Sequence, residues 1–424
     1  MVVEHLGTWS DTQWVEAIRR LAAAGGLAWL DGDGTTELGA QSYAGAAPVE
    51  TRVRRWADPD PLGALEEIEM RGEVPRWIGY IAYDAAWSGR AERARWPRPD
   101  DEPVLRFARY DALLVRRGDR VRIVADDRQA LARMRAHLDR APISTKARAG
   151  LAQATRRDAH ADAIARIRRH IEAGDIYQAN LARHWVAAYD GAPLALFLAM
   201  RRASPVPLGV FIDAGDHAVC ARTMERFLRW EPDDDGQGRL ETRPIKGTLG
   251  RRSDDDADAA RLRSDEKERA EHTMIVDLMR NDLGKVAEVG TVEVVRALHV
   301  EPYARLHHLV STVACRTRRG INLRDVLEAT FPPGSVTGAP KVRAVELIEA
   351  LEPGPRGIYC GCVGHIGRVV DLAVAIRTAV VRQGQVRYFA GGGLVWASDP
   401  EREVAETELK ARVFLDALAA VRGG

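Results

Sequence analysis

The sequence predicts an α+β fold. Strand-like runs and helical periods are interspersed along the chain without the regular strand–helix rhythm of a parallel α/β sheet. Helix starts with identifiable caps stand beside runs that alternate with period two. The first part, to about Asp139, holds strand-like runs at Gly26–Leu30, Trp77–Ile81 and Val121–Ala125 between polar loops. The stretch from Ala141 to Arg157, of Pro, Ser, Ala and Arg, has no clear period and reads as a linker. It divides the chain into residues 1–150 and 151–424. Asp158 is the expected cap of a helix whose apolar face is Ile164, Ile167 and Ile171 and whose end is marked by Gly174. Ile176 to Trp185 then alternates, with Gln178 and Asn180 on one face and Tyr177, Ala179 and Leu181 on the other. The acidic runs Asp233–Asp235 and Asp254–Asp256 sit among Gly, Arg and Ser and read as solvated loops. Asp265 to Glu268 has the spacing of a helix start, and Ile275, Leu278 and Met279 continue its period. Near the C-terminus, Ser398-Asp399-Pro400-Glu401 combines a capping box with Pro at the first helical position.

Bulk properties exclude several classes. The 424 residues carry a formal net charge of +1, and no basic block is interleaved with aromatics, which argues against a nucleic-acid partner. The N-terminus carries Glu4, His5 and Asp11 where a secretory signal would be basic and then apolar. The longest apolar stretch, Val369 to Val381, is broken by Asp371 and Arg377 and cannot span a bilayer. Cys220, Cys315, Cys360 and Cys362 lack zinc or redox spacing and are expected to be buried thiols. The expectation is a soluble, cytoplasmic protein.

Two features carry chemistry by residue type. Positive charge comes almost entirely from arginine; the only lysines are Lys146, Lys246, Lys267, Lys285, Lys341 and Lys410. A guanidinium stays protonated at any working pH, whereas an amine that sheds its proton can attack carbon. The second feature is a pair of acidic helix faces. Glu268 and Glu271 lie three apart on one helix, and Glu403, Glu406 and Lys410 line one side of another. Acidic residues in a first turn are favoured by the helix dipole by about 0.3–1 kcal/mol, so each pair alone has a structural explanation. Together the two faces could close on one hard divalent cation, since magnesium prefers oxygen donors.

A series of strings after residue 155 then identifies a family. In order they are Gly174 to Leu181 (GDIYQANL), Pro244 to Thr248 (PIKGT), Glu271 to Asp282 (EHTMIVDLMRND) and His308 to Ser311 (HLVS). Pro333 to Lys341 (PGSVTGAPK), Ile376-Arg377-Thr378, Ala390 to Gly393 (AGGG) and Glu403-x-x-Glu406-x-x-x-Lys410-Ala411 follow. Over about the last 270 residues the chain resembles the chorismate-utilising enzymes, which include anthranilate, aminodeoxychorismate, isochorismate and salicylate synthases. The resemblance implies a large fold of two packed β-sheets surrounded by helices. Residues 1–150 would be an N-terminal domain of the anthranilate synthase component I type, and residues 151–424 the catalytic domain. It also implies roles. Glu271 and Glu406 would be direct magnesium ligands, with Glu268 and Glu403 completing the site. Arg377 and Tyr359 would hold the enolpyruvyl carboxylate, and Gly391 and Gly393 would let backbone N–H groups approach the ligand. Gly247, Thr248, Ser335 and Lys410 would line the same pocket. Glu225 occupies the general-acid position beside the ring C4 hydroxyl, with His308 near it.

Two positions choose among members. Water-adding relatives carry a lysine base where this chain has Gln178. Aminodeoxychorismate-forming relatives carry lysine in the middle of the Pro-Ile-x-Gly-Thr string, as here, where anthranilate synthases usually have alanine. The implied activity is amination of chorismate to 4-amino-4-deoxychorismate through a covalent Lys246 adduct, on the route to 4-aminobenzoate and folate. The alternative is anthranilate formation, or a catalytically silent chorismate-binding paralogue. Two departures stand out: Thr223-Met224-Glu225 replaces the family's usual Ser-Pro-Glu, and Ala28-Trp29-Leu30-Asp31-Gly32 replaces the Leu-Leu-Glu-Ser string of tryptophan-regulated relatives. Weak or absent tryptophan feedback is therefore expected. No glutamine amidotransferase signature is visible, so ammonia is expected from solution or a separate glutaminase subunit, and 4-aminobenzoate from a second enzyme.

Overall fold

The structure, a computed structural model, describes residues 1–72, 74–87, 94–250, 255–303 and 306–422. Its helices are α1 (Asp11–Ala22), α2 (Arg128–Leu138), α3 (Arg157–Glu172), α4 (Pro193–Ala203), α5 (Asp255–Ser264), α6 (Glu266–Gly284), α7 (Leu323–Thr330), α8 (Lys341–Leu351) and α9 (Pro400–Arg422). Among the described residues they surround two large antiparallel sheets.

The 13-stranded sheet begins Val2–Thr8, Arg120–Ala125, Ala112–Arg117, Gln41–Gly45 and Ala28–Asp31. It continues Leu208–Asp213, His217–Thr223, Thr378–Arg382, Gln385–Leu394, Gln178–Gly191 and Gln153–Ala154. The short strands Ala147–Ala149 and Gly338–Ala339 also pair with Gln178–Gly191. The 10-stranded sheet runs Ile245–Gly250, Leu306–Arg316, Gly238–Arg243, Arg226–Pro232 and Val370–Val374. It ends Cys362–Ile366, Trp77–Ile81, Pro103–Arg109 and Glu50–Arg55, with Glu293–Pro302 off the path against Leu306–Arg316. Both sheets draw strands from either side of residue 150.

Period-two alternation decides which layer each side chain joins. Ala28, Leu30, Val210, Ile212, Val219 and Ala221 point into a core shared with Tyr80, Phe107 and Val363 of the second sheet. Their neighbours Trp29, Phe211 and Cys220 point the other way, against α1, α4 and α9. All four cysteines are buried and unpaired, and burial pushes the Cys315 and Cys360 thiols up to about 12.

Several local expectations change in the tertiary setting. The stretch from Ala141 to Arg157 contributes two short strands to the large sheet and so is more than a linker. The helix after it starts at Arg157, with no side-chain cap, so Asp158 sits in its first turn, where the dipole favours a carboxylate. Asp255 and Asp256 open α5 instead of lying in a loop, because Leu262 buries against the strand carrying Lys246. Asp254 lies outside the described residues. Asp399 caps α9 by accepting from the Arg402 N–H; Ser398 donates instead to Glu403, at 2.7 Å.

One buried ion pair ties the core to the region carrying the family strings. Arg356, 3% exposed, donates to both Glu352 oxygens and to the Val336 and Asn180 carbonyls, and Glu352 accepts the Ala182 N–H. Removing one charge would strand the other. Arg356→Met is therefore expected to lower stability by about 3–5 kcal/mol, read as a lower urea midpoint.

Candidate active site

The site forms where the chain passes from one sheet to the other. Glu225 lies between His217–Thr223 of the large sheet and Arg226–Pro232 of the small one. Arg377 lies on the return crossing, between Val370–Val374 and Thr378–Arg382, in left-handed backbone at φ +51°. Such a conformation costs a non-glycine residue roughly 1–3 kcal/mol and persists where the surroundings over-determine it. Arg377 donates to the Lys410 carbonyl of α9 at 2.7 Å, and its own carbonyl accepts the Arg222 N–H.

Lys246 is aimed by a β-bulge. Ile245 stands opposite Val310 and Thr248 opposite His308, so Lys246 and Gly247 together face Leu309 alone. Gly247 takes φ +90°, which glycine adopts without strain. The Lys246 side chain crosses to the Gln385–Leu394 strand. A Cβ built on Gly393 would lie 2.2 Å from its Nζ and 3.0 Å from Gln178 Nε2. Only glycine leaves room there. Gln178 is fully buried, and among the described residues neither its amide nitrogen nor its amide oxygen has a hydrogen-bond partner.

Glu225 is 4% exposed. Burial pushes its carboxyl up to about 7, against the opposing pull of a Ser335 hydrogen bond, the Lys246 charge and the Ile245 N–H. Ser335, also buried, sits in the turn Gly334–Val336. Thr223 Oγ accepts the Glu225 N–H at 3.3 Å, so the Thr-Met-Glu string has its own turn bond. His308 is buried beside Tyr303, with ring centroids 5.1 Å apart, and burial lowers its pKa to about 4. Tyr359 is buried and stacks on Phe389 at 5.2 Å. Thr248 lies on the bulged strand, and its side chain is outside the described part of the structure.

The glutamates line two helices, as the spacing predicts. Glu268 and Glu271 are on α6; a Cβ on Gly247 would lie 3.2 Å from Glu268 Oε2. Glu403 and Glu406 are on α9, 3.1 and 3.9 Å from the corresponding point on Gly392. Glu403 accepts the Ser398 hydroxyl, and Glu406 pairs with Lys410 at 2.6 Å. Lys410 also donates to the Gly391 carbonyl at 2.8 Å. An all-carboxylate donor set suits a hard cation, although among the described residues no three His, Cys, Asp or Glu side chains converge as a metal site.

The glycine contacts therefore bring Lys246 and Gln178 to Gly393, Glu403 and Glu406 to the neighbouring Gly392, and Glu268 to Gly247. Gln178, His272 and Ser311 touch this machinery yet were not among the residues first assigned to it. Their signal was present, since each falls inside one of the ordered strings. Away from the site, Asp31 of the Ala28–Asp31 strand is buried between Arg222 and Arg201, at 2.6 and 3.0 Å. The cavity beside it, lined by Leu30, Leu208, Val210 and His365, measures about 70 Å³. No helix among the described residues is long and apolar enough to cross a membrane.

The chain is 37% identical over 402 residues to an aminodeoxychorismate synthase of Streptomyces griseus, an alignment covering 87% of this chain and 54% of that protein. It is 35% identical over 411 residues to anthranilate synthase component 1 of Pseudomonas aeruginosa, covering 88% and 82%. The crystal structure of anthranilate synthase component I from Streptococcus pneumoniae superimposes with a TM-score of 0.78 at 28% identity, covering 88% of this chain and 92% of that one. The chain spans about half the length of the curated aminodeoxychorismate synthases it matches. The family model described as chorismate binding enzyme matches residues 27–416, and the chain belongs to that family.

Proposed function

We propose that this chain is the chorismate-aminating component of an aminodeoxychorismate synthase. The observation that carries the reading is the Lys246 amine, set over Gly393 and within charge contact of a buried Glu225. In the reaction the Lys246 amine adds to ring C2 while Glu225, as the carboxylic acid, protonates the departing C4 hydroxyl. Ammonia then adds at C4 and expels the lysine, giving 4-amino-4-deoxychorismate with pyruvate retained. Gln178, in place of a lysine, offers no base to activate water, which supports amination over hydration.

Arg377 and Tyr359 would hold the enolpyruvyl carboxylate, with the Gly391 and Gly393 backbone, Gly247, Thr248, Ser335 and Lys410 closing the pocket and His308 orienting the C4 hydroxyl. Glu268, Glu271, Glu403 and Glu406 would hold Mg²⁺. The bound ion would neutralise the ring carboxylate close to the reacting carbons. Ammonia would come from a separate glutaminase subunit. The likeness to anthranilate synthase component 1 over most of its length supports one alternative, amination at C2 with loss of pyruvate.

The test is mass spectrometry of the products formed by the purified chain with chorismate, magnesium and excess ammonium at mildly alkaline pH. Aminodeoxychorismate without pyruvate is the expected result; anthranilate with pyruvate would make the alternative correct. Regulation has a separate expectation. A cavity of about 70 Å³ is well below the roughly 300–1,000 Å³ of small-molecule sites, and Asp31, which lines it, is already paired with Arg222. Calorimetry is expected to detect no saturable tryptophan binding in the micromolar range.

A further inference from the structure

We propose that His272 and Ser311 are positioning residues that hold the bulge at Lys246 and so aim its amine; this rests on the reading of Lys246 given above. The need arises from the bulge. Lys246 and Gly247 share one partner on the neighbouring strand, so the ladder register breaks at the Lys246 carbonyl. The fully buried His272 of α6 reaches it from the next layer: its Nδ1 lies 3.2 Å from that oxygen, and its Nε2 lies 2.7 Å from Ser311 Oγ. A carbonyl oxygen only accepts, so Nδ1 carries the ring hydrogen. Ser311 Oγ accepts the Leu298 N–H at 3.0 Å and has its own hydrogen to give to Nε2.

Leu298 sits in a mirror-image situation. Arg296 stands opposite Thr312 and His299 opposite Val310, so Ala297 and Leu298 face Ser311 alone, with Leu298 at φ +48°. One hydrogen-bond chain therefore links the bulges on Ile245–Gly250 and Glu293–Pro302, two of the strands paired with Leu306–Arg316. It runs from the Leu298 N–H through Ser311 and His272 to the Lys246 carbonyl. The same helix carries Glu268 and Glu271, one turn and one residue before His272, so the lysine and these carboxylates share a rigid mount.

The test separates the two ring nitrogens. Asparagine places an amide N–H near the position of Nδ1 and keeps a donor for the Lys246 carbonyl. Glutamine reaches toward Ser311 and gives that donor up. His272→Asn is expected to keep kcat within about tenfold of the native chain. His272→Gln is expected to lose on the order of 100-fold in kcat with little change in KM for chorismate, because a displaced nucleophile costs rate rather than ground-state binding. In ¹⁵N-histidine NMR of the full chain, His272 is expected to show Nδ1–H with an accepting Nε2, and Ser311→Ala to remove the hydrogen-bond shift at Nε2 alone. An Nε2–H tautomer, equal losses in the two His272 variants, or a KM that rises in step with the fall in kcat would overturn the proposal. Should the His272 variants fail to fold, the NMR comparison with Ser311→Ala decides it. The tautomer does not depend on which product forms, whereas full turnover by Lys246→Ala would overturn the reading of Lys246 itself.

Discussion

Lys246→Ala is expected to abolish chorismate amination, with kcat lower by on the order of 1,000-fold or more, the scale set by loss of a covalent nucleophile. Lys246→Arg is expected to be equally inactive, because a guanidinium keeps its proton and cannot attack carbon. Neither change should unfold the protein, since the lysine is only half-buried. Gly393→Ala offers an independent check from the strand that the amine reaches. The added Cβ would meet Lys246 Nζ at 2.2 Å, and Nζ is the mobile end of a flexible side chain. The fold should therefore survive while the amine moves, and kcat should fall without a matching loss of thermal stability. Single-turnover product analysis beside melting curves would read both outcomes. Anthranilate and pyruvate from Lys246→Ala at the native rate would reduce the lysine to a pocket residue.

The second large effect concerns Glu225. Its buried carboxyl is held near a pKa of about 7, so close to neutrality a substantial fraction is the acid that a poor leaving group requires. The groups facing it are Lys246, Ser335 and the Cys360 thiol. Glu225→Gln cannot give up a proton and is expected to lose roughly 10²–10⁴ in kcat. In the native chain kcat should fall as pH rises through about 7, and that limb should vanish in the variant. Stability should fall in the same direction. A carboxyl whose folded pKa is raised keeps a proton that the unfolded chain has already released. Between the ordinary value of 4.5 and about 7 the native chain therefore loses stability as pH rises, by about 3 kcal/mol in all. Glu225→Gln escapes this loss. Urea midpoints should coincide near pH 4.5 and favour the variant at pH 8; coincidence at both pH values would show that the carboxyl is not burdened by burial.

Much of the site was legible because its parts are local. Glu403, Glu406 and Lys410 share a face through helical spacing alone, and the alternation from Ile176 onward places Gln178 and Asn180 together on one side of a strand. Local cues failed where packing overrode them. Asp255 and Asp256 became helical because Leu262 found a buried place, and Ser398 left its capping role to bond Glu403. The bulge at Lys246 could not be read at all. It is defined by register against Leu306–Arg316, some 60 residues further along the chain.

By itself the sequence determined the class of fold, the buried thiols, the two acidic helix faces and the lysine in the middle of the Pro-Ile-x-Gly-Thr string. All of these depend on residue type and short-range spacing. Only the tertiary structure decided that Glu225 and Arg377 stand at crossings between the sheets, that Lys246 reaches Gly393, and that His272 bridges the broken ladder. Those facts arise from pairings between strands far apart in the chain, such as Ile78 with His365. They follow from how two twisted sheets bury their apolar faces against each other, which no local pattern encodes.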